Sequence, residues 1–273
     1  MRSGQFRILR CEMLGVEAVE ASTRHTFARH THEQFGIGVI WQGAHRSHSG
    51  RGMVEAGPGD MIMVNPGEVH DGMPIGDAGR SWRMLYFDPA CIARASLDLS
   101  EGRTRQCEFP NPVVSDAAVA AGFQQLYLLA TAGGGAGSDL QREAMLLALL
   151  ARVADPGLAR SAGAQAGAQA GAIDRARSLI DDDPAAAVSL AELAEVAGLS
   201  RFQLLRAFSK ATGLTPHAYL LQRRIHLARA LIAQGKALAD AAAASGFADQ
   251  SHMTRMFVRQ YGVSPRAYAA VVR

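Results

Sequence analysis

Cysteine, aromatic residues and long apolar runs are all scarce in this sequence. Three cysteines among 273 residues, with no CxxC spacing, exclude a disulfide framework and a zinc site built from cysteines. No stretch reaches the roughly 18 to 20 uninterrupted apolar residues of a membrane-spanning helix, and the first residues lack the apolar block of a secretory signal. We therefore expect a cytoplasmic protein with reduced thiols and no membrane partner.

Apolar residues make up 48% of the chain, which suffices for packed cores, and the length predicts about two domains. Short β runs punctuated by Gly, Ser and Pro at 24–90 predict a small barrel or sandwich. Two helical patterns follow, and then an Ala/Gly/Gln-rich stretch without an apolar period predicts a flexible linker. The expected divisions are a first domain at 1–154, the linker at 155–172 and a second domain at 173–273.

Positive charge is concentrated near the C-terminal end. From Arg201 onward, 11 basic residues stand against 2 acidic ones, a balance of 11 − 2 = +9, whereas the whole chain carries +3. Lysine and arginine that neutralise phosphates release counterions, so this charge favours a polyanionic partner. A solvated basic surface is the alternative.

The same segment contains an internal repeat. The pattern Arg206-x-Phe208-x4-Gly213-x-Thr215-Pro216-x-Ala218-Tyr219 returns 49 residues later as Arg255-x-Phe257-x4-Gly262-x-Ser264-Pro265-x-Ala267-Tyr268. Upstream, Ala194-x3-Gly198 returns as Ala242-x3-Gly246 at an offset of 48, so the second copy has one more residue in its turn.

Each copy predicts a helix-turn-helix. A first helix (190–197 or 237–244) leads through a glycine turn into a second helix (200–211 or 249–260) that ends at another glycine. A long helix at 218–234 joins the copies, which could place the two second helices in successive major grooves, roughly 34 Å apart. A helical solenoid is the alternative, but two copies are fewer than the three or so it requires.

These residues resemble the AraC/XylS family of transcription regulators over about 173–272. The densest match is Gly246-Phe247-x-Asp249-Gln250-Ser251-His252-Met253-x-Arg255-x-Phe257, followed by Gly262-Val263-Ser264-Pro265-x-x-Tyr268. The resemblance implies a regulator and not an enzyme: a homodimer that binds double-stranded promoter DNA, responds to a small-molecule effector and contacts RNA polymerase.

The resemblance also implies which side chains face the DNA groove. In the first copy they are Arg201, Phe202, Leu205, Arg206 and Lys210. In the second copy they are Gln250, Ser251, His252, Thr254 and Arg255. On the joining helix, Arg223 and Arg224 are either phosphate contacts or part of a solvated face.

The chemistry of these side chains divides them into two roles. Arg206 suits guanine and Gln250 suits adenine, because each can make a bidentate contact with that base in the major groove. Arg201, Lys210 and Arg259 are expected to hold phosphates, which positions the domain without specifying sequence. Apolar Phe202 and Leu205 lead us to expect fewer bases read by the first copy.

Ahead of this region, two short segments resemble the motifs of cupin barrels. They comprise His30-Thr31-His32-Glu33, Gly43, Gly59-Asp60 and Pro66-Gly67-Glu68-Val69-His70. The resemblance implies a β-barrel that binds an effector, followed by helices for dimerisation. The expected fold class is therefore α+β, with a cupin-like barrel and helices preceding an all-α double helix-turn-helix domain.

In metal-binding cupins, histidines at the positions of His30, His32 and His70 hold a divalent transition metal together with a glutamate. Here Gly36 or Ile37 takes the place of that glutamate, so the sequence favours an effector pocket or structural hydrogen bonds over a metal site. The alternative function is a metal-dependent cupin enzyme with an appended DNA-binding domain; a third is a DNA-bridging protein.

Strand periodicity adds two aromatic residues to the expected pocket. Trp82 and Tyr86 share one face of a predicted strand at 81–88, whereas Arg83 takes the other face. An inward Trp82 would form a wall of the effector pocket, and plain core packing is the alternative. His45 and His48 are expected to be exposed loop residues.

Overall fold

The structure is a computed structural model that describes residues 5–132, 137–154 and 168–272. Contacts divide the chain into two compact units, Met1–Ala162 and Gly163–Arg273. Within the described ranges, no helix combines the length and the apolar character needed to cross a membrane. The first unit contains the described strands and the second is helical, which confirms the expected α+β fold.

The first unit is built on two antiparallel sheets. One has the order β1-β2-β9-β4-β7-β10 and the other β3-β8-β5-β6. The described strands are β1 (Gln5–Leu9), β2 (Val16–Thr23), β3 (Phe27–His30), β4 (Phe35–Gln42), β5 (Ala44–Ser49), β6 (Gly52–Ala56), β7 (Met61–Val64), β8 (His70–Ile75), β9 (Arg80–Phe87) and β10 (Val113–Val114).

Alternate side chains of β9 point into two different apolar layers. Trp82 and Met84 belong to a cluster that also takes Phe27 from the opposite sheet, and we call this layer the inner cluster. Leu85 and Phe87 point the other way, into a core shared with three helices. These helices are α1 (Pro89–Leu99), α2 (Ala117–Thr131) and α3 (Gly137–Val153).

The second unit consists of seven described helices. They are α4 (Ala168–Asp182), α5 (Leu190–Ala197), α6 (Arg201–Thr212), α7 (Pro216–Ala233), α8 (Leu238–Ala244), α9 (Gln250–Tyr261) and α10 (Pro265–Val272). The side chains of Ser200 and Asp249 cap α6 and α9 by accepting backbone N–H groups, as expected. Both helices end at left-handed glycines, Gly213 and Gly262.

The expected linker at 155–172 overlaps the beginning of α4. Residues 155–167 lie outside the described residues, whereas 168–172 are helical. Ala172 and Ile173 are buried in the core of the first helix-turn-helix. The helical propensity of alanine and this burial together outweigh the cost of a glycine within the helix.

The turn glycines of the two copies lie in different surroundings. Both Gly198 and Gly246 adopt left-handed backbone conformations, with φ of 66° and 77°. A Cβ atom on Gly198 would meet nothing within 4 Å, whereas one on Gly246 would lie 2.7 Å from the Ala185 carbonyl oxygen and 2.9 Å from Arg224 Nε. Position 246 therefore requires glycine for two reasons: the left-handed backbone conformation and the lack of space for a side chain.

Arg223 and Arg224 hold helices of the second unit together. Arg223 Nε lies 2.8 Å from the Asp181 carboxylate, and Arg224 donates to the carbonyl oxygens of Pro184 and Ala186 at 2.8 and 3.0 Å. These contacts connect α7 to α4 and to the segment after it. Both arginines thus make structural contacts within the second unit, whereas the sequence predicts either phosphate contacts or a solvated face for them.

Candidate effector pocket and nucleic-acid interface

Helix α6 presents two chemically distinct sides. Leu204 and Phe208 are buried in the core of the first helix-turn-helix, and Phe208 packs against Tyr219 with ring centroids 5.5 Å apart. The side chains that the sequence assigned to the DNA groove are all exposed: Arg201, Phe202, Leu205, Arg206 and Lys210.

Arg206 and Phe202 contact each other on the exposed side of α6. The guanidinium carbon of Arg206 lies 5.7 Å from the centroid of the Phe202 ring, one helical turn away. Phe202 is 67% exposed. This cation–π contact holds a hydrogen-bonding group beside an apolar ring on the surface.

Helix α9 repeats the arrangement with different side chains. Met253 and Phe257 are buried, whereas the exposed side carries Gln250, Ser251, Arg255 and Arg259. Of the remaining assigned residues, His252 and Thr254 are half-buried. The His252 ring meets Phe247 edge-on at 5.2 Å, so part of its surface is used in packing.

The histidines of the cupin-like motifs converge between the two sheets. One ligand atom each from His30, His32 and His70 lies within 4.8 Å of the others. The ring centroids are 4.5 to 5.2 Å apart. Sequence reasoning therefore selected three side chains that the fold brings into one cluster, which we call the histidine cluster.

Backbone contacts determine which nitrogens of the histidine cluster carry hydrogen. Nδ1 of His30 lies 2.7 Å from the Ala28 carbonyl oxygen, and Nδ1 of His70 lies 3.0 Å from that of Glu68. A carbonyl only accepts, so Nδ1 donates and the neutral ring has its lone pair on Nε2. Burial also lowers the pKa of His70, which favours this neutral form.

The histidine cluster fits a metal ion incompletely. Imidazoles with an outward Nδ1–H are suitable metal ligands, and one ligand atom of each histidine lies within 4.8 Å of the others. No carboxylate joins the cluster among the described residues. A Cβ atom on Gly36 would lie 2.7 Å from Met84 Cε and 3.2 Å from the Tyr86 ring, so these two side chains occupy the space beside position 36. The Tyr86 ring also lies 5.0 Å from the His32 ring.

The side chains of Trp82, Tyr86 and Arg83 on β9 point to the sides of the strand that the strand period predicts. Trp82 is buried in the inner cluster, and Tyr86 packs against that cluster. Arg83 points to the opposite face, where its guanidinium lies 5.5 Å from the Tyr127 ring and 3.2 Å from the Glu20 carboxylate.

The expectation that His45 lies in an exposed loop is wrong. His45 belongs to β5, and its ring packs against Gly72, where a Cβ atom would come within 2.9 Å of it. Burial, with the nearby Arg80 charge as a second cause and His70 as a third, lowers the pKa of His45 to about 3. His48 is exposed, as expected, but it also belongs to β5 and not to a loop.

Arg80 is the other inner residue that sequence reasoning missed. It is 2% exposed, and its guanidinium carbon lies 4.9 Å from the Trp82 ring and 5.9 Å from the Phe27 ring. Nη1 donates to the His25 carbonyl oxygen at 3.1 Å. Burial lowers the Arg80 pKa to about 10, so the group remains a cation at neutral pH. Its period-2 spacing to Trp82 and Tyr86 was an available signal.

Family models cover most of the chain. Residues 14–150 match the AraC-like ligand binding domain, and residues 193–270 match a helix-turn-helix domain. The first match contains strands β2 to β10 and the histidine cluster. The second contains α6 and α9 with their exposed side chains.

Relatives and solved structures agree with these matches. The uncharacterized HTH-type transcriptional regulator YbfI of Bacillus subtilis (strain 168) is 28% identical over 83% of this chain and 81% of its own length. The probable transcriptional regulator LumQ of Photobacterium leiognathi is 41% identical over 32% of this chain and 35% of its own. A crystal structure of ToxT from Vibrio cholerae O395 has the same fold, with a TM-score of 0.54 and 11% identity over 100% of this chain and 99% of that one.

Proposed function

The chain belongs to the AraC/XylS family of transcription regulators, and we propose that α6 and α9 read a two-part promoter site while the N-terminal domain binds a small effector. The family combines a ligand-binding domain with a DNA-binding helix-turn-helix domain, and both are present here. We assign the roles within them to individual side chains.

The orientation of the two second helices supports the DNA-binding roles. In each helix a phenylalanine of the repeat is fully buried, whereas the side chains with base-reading chemistry, Arg206 and Gln250, are exposed. We assign base contacts to these two residues. Arg201, Lys210 and Arg259 are also exposed, and we assign them to phosphates.

Selection from a random duplex library with the full chain tests this assignment. We expect an enriched site with two parts separated by about 10 base pairs, one turn of DNA. A single part, or binding that is independent of sequence at physiological salt, would contradict it, and the latter result would favour the DNA-bridging function.

The same selection, repeated with variants of the protein, shows which helix binds each part of the site. Arg206→Ala should erase base preference in one part and Gln250→Ala in the other. Arg94→Ala, which removes an exposed arginine from α1 in the first unit, is the matched control and should leave the selected site unchanged.

For the first unit, we propose that the histidine cluster, Trp82 and Tyr86 line the effector pocket. Their convergence between the two sheets supports this role. Metal binding is the second candidate, favoured by the convergence of three imidazole side chains. Metal analysis of purified protein decides between them, because the metal site predicts about one ion per chain, lost together in His30→Ala, His32→Ala and His70→Ala variants.

We propose no catalysed reaction for this chain. Stoichiometric iron or manganese accompanied by turnover of a small molecule would overturn this view and favour the cupin enzyme. We also propose a homodimer that contacts RNA polymerase, as the family resemblance implies. Leu128 on α2 and Leu140 on α3 are exposed apolar residues suited to a dimer contact, and sedimentation of Leu128→Ser and Leu140→Ser variants tests it.

A further inference from the structure

Two buried arginines of the first unit differ in the groups around their charge. Arg142 is 4% exposed, pairs with the Asp139 carboxylate and donates from Nη1 to the Leu129 carbonyl oxygen. Arg80 is still more buried, yet among the described residues no carboxylate lies against it, and burial lowers its pKa. A buried cation without an anion is costly, so proteins normally pair it.

The remaining donors of Arg80 lie on one edge of the guanidinium. Nε and Nη2 are buried and have no hydrogen-bond partner within the described residues. The N–H groups on this edge are parallel, and their spacing matches the two oxygen atoms of a carboxylate. Nη1, which the His25 carbonyl already engages, lies away from this edge.

The surroundings of Arg80 restrict how a ligand can approach. The rings of Trp82 and Phe27 lie against the guanidinium and cover part of its surface with apolar groups. The N–H groups of Nε and Nη2 lie in the plane of the guanidinium, so an anion that binds both of them lies in that plane. Gly72 adds no side chain there, since a Cβ atom on it would lie 3.5 Å from Nη2. His45 is neutral at pH 7, and its buried Nδ1 has no hydrogen-bond partner within the described residues. The tautomer with hydrogen on Nδ1 offers the ligand a second donor.

We propose that Arg80 binds the carboxylate of the effector through Nε and Nη2, so that the effector is a small carboxylic acid. This inference deepens the effector pocket proposed above and rests on it. The ligand's carboxylate supplies the anion that Asp139 supplies to Arg142.

The test uses the smallest carboxylates, so its outcome does not depend on the rest of the effector. The full chain contains two tryptophans, and Trp41→Phe leaves Trp82, beside Arg80, as the fluorophore. Formate and acetate are titrated at constant ionic strength against chloride, with acetamide as the neutral counterpart. We expect a saturable change in Trp82 emission with acetate, with a midpoint on the order of millimolar for so small a ligand, and no such change with acetamide.

Variants at the two buried arginines locate the binding site. Arg80→Gln should raise the acetate midpoint about tenfold or more, because a charge-assisted pair is lost. Arg80→Lys retains the charge without the two-donor edge and should give an intermediate midpoint. Arg142→Gln is the matched control and should leave the midpoint unchanged.

Two outcomes would overturn the proposal. The emission of the Trp41→Phe protein could respond alike to acetate, acetamide and chloride, which would mean that water alone satisfies Arg80, or the acetate response could persist after Arg80→Gln is added. The comparison of acetate with acetamide in the Trp41→Phe protein stands even if an Arg80 variant does not fold. DNA binding by the same protein without acetate is measured in parallel, so failure of the regulator function is distinguishable from failure at Arg80.

Discussion

The two helix-turn-helix copies share their buried framework and differ in what they expose. Both have a capped second helix, a terminal glycine and a fully buried phenylalanine. On the exposed side, α6 carries an aromatic ring and a leucine next to Arg206, whereas α9 carries Gln250 and Ser251. The buried phenylalanines and the turn glycines of the repeat maintain the fold. Arg206 and Arg255, which are also repeated, are exposed in both copies, and the unrepeated exposed residues beside them differ.

The largest expected effects come from the two buried phenylalanines. Phe208→Ala and Phe257→Ala should each lower the free energy of unfolding by about 3 to 5 kcal/mol. The larger loss is expected at Phe257, which packs against both Tyr261 and Tyr268, whereas within the described residues Phe208 has one aromatic neighbour, Tyr219. Urea unfolding measures the difference, with exposed Phe202→Ala as the control. An equal or smaller loss at Phe257 would contradict the comparison.

Substitution of the turn glycines should give the next largest difference in stability between the two copies. Gly198→Ala should cost about 1 to 2 kcal/mol of unfolding free energy, the strain of a left-handed alanine. Gly246→Ala adds a clash with Ala185, for about 2 to 4 kcal/mol in total. Thermal unfolding of the two variants compares them directly. Equal melting temperatures would show that the contact at Gly246 relaxes without cost.

The side chains proposed to read bases should give the next largest difference between the copies, in this case in DNA binding. Arg206→Ala and Gln250→Ala should each weaken binding to the selected site by about 1 to 3 kcal/mol and relax base preference at the contacted position. Binding titrations on the selected site and on base-substituted sites measure this. If both variants lose as much affinity for random DNA as for the selected site, the two roles are incorrect.

The smallest effect is expected at Lys210. Lys210→Ala should weaken binding to selected and random duplexes alike and reduce the slope of log affinity against log salt by about one, because one phosphate contact is lost. Salt titrations of the variant and the wild-type protein show whether this occurs. A loss confined to the selected site would instead make Lys210 a base reader.

The helical unit could be predicted closely because its signals are local. Glycines at the turns and capping residues such as Ser200 and Asp249 gave second-helix bounds within one residue of those observed. The family and the regulator function followed from the same repeat, and the comparisons confirm both. The tertiary contacts of Arg223 and Arg224 were not predictable, since their partners lie about 40 residues away in sequence.

The interior of the first unit was predicted only in part. His30, His32 and His70 were found because they belong to short recognisable motifs. Arg80 was missed because the predicted strand began one residue later, which removed Arg80 from the alternation with Trp82. His45 was missed because β5 has little apolar alternation, so a strand of polar residues resembled a loop.

The contact between Phe202 and Arg206 is expected to affect the entropy of DNA binding as well as the position of the Arg206 side chain. A long arginine side chain loses rotational freedom when it docks on a base edge, and an aromatic neighbour that already confines it reduces that loss. The guanidinium of Arg206 rests over the Phe202 ring in the unbound protein. The entropy of binding at the α6 half of the site is therefore expected to be less unfavourable in the native protein than in Phe202→Ala.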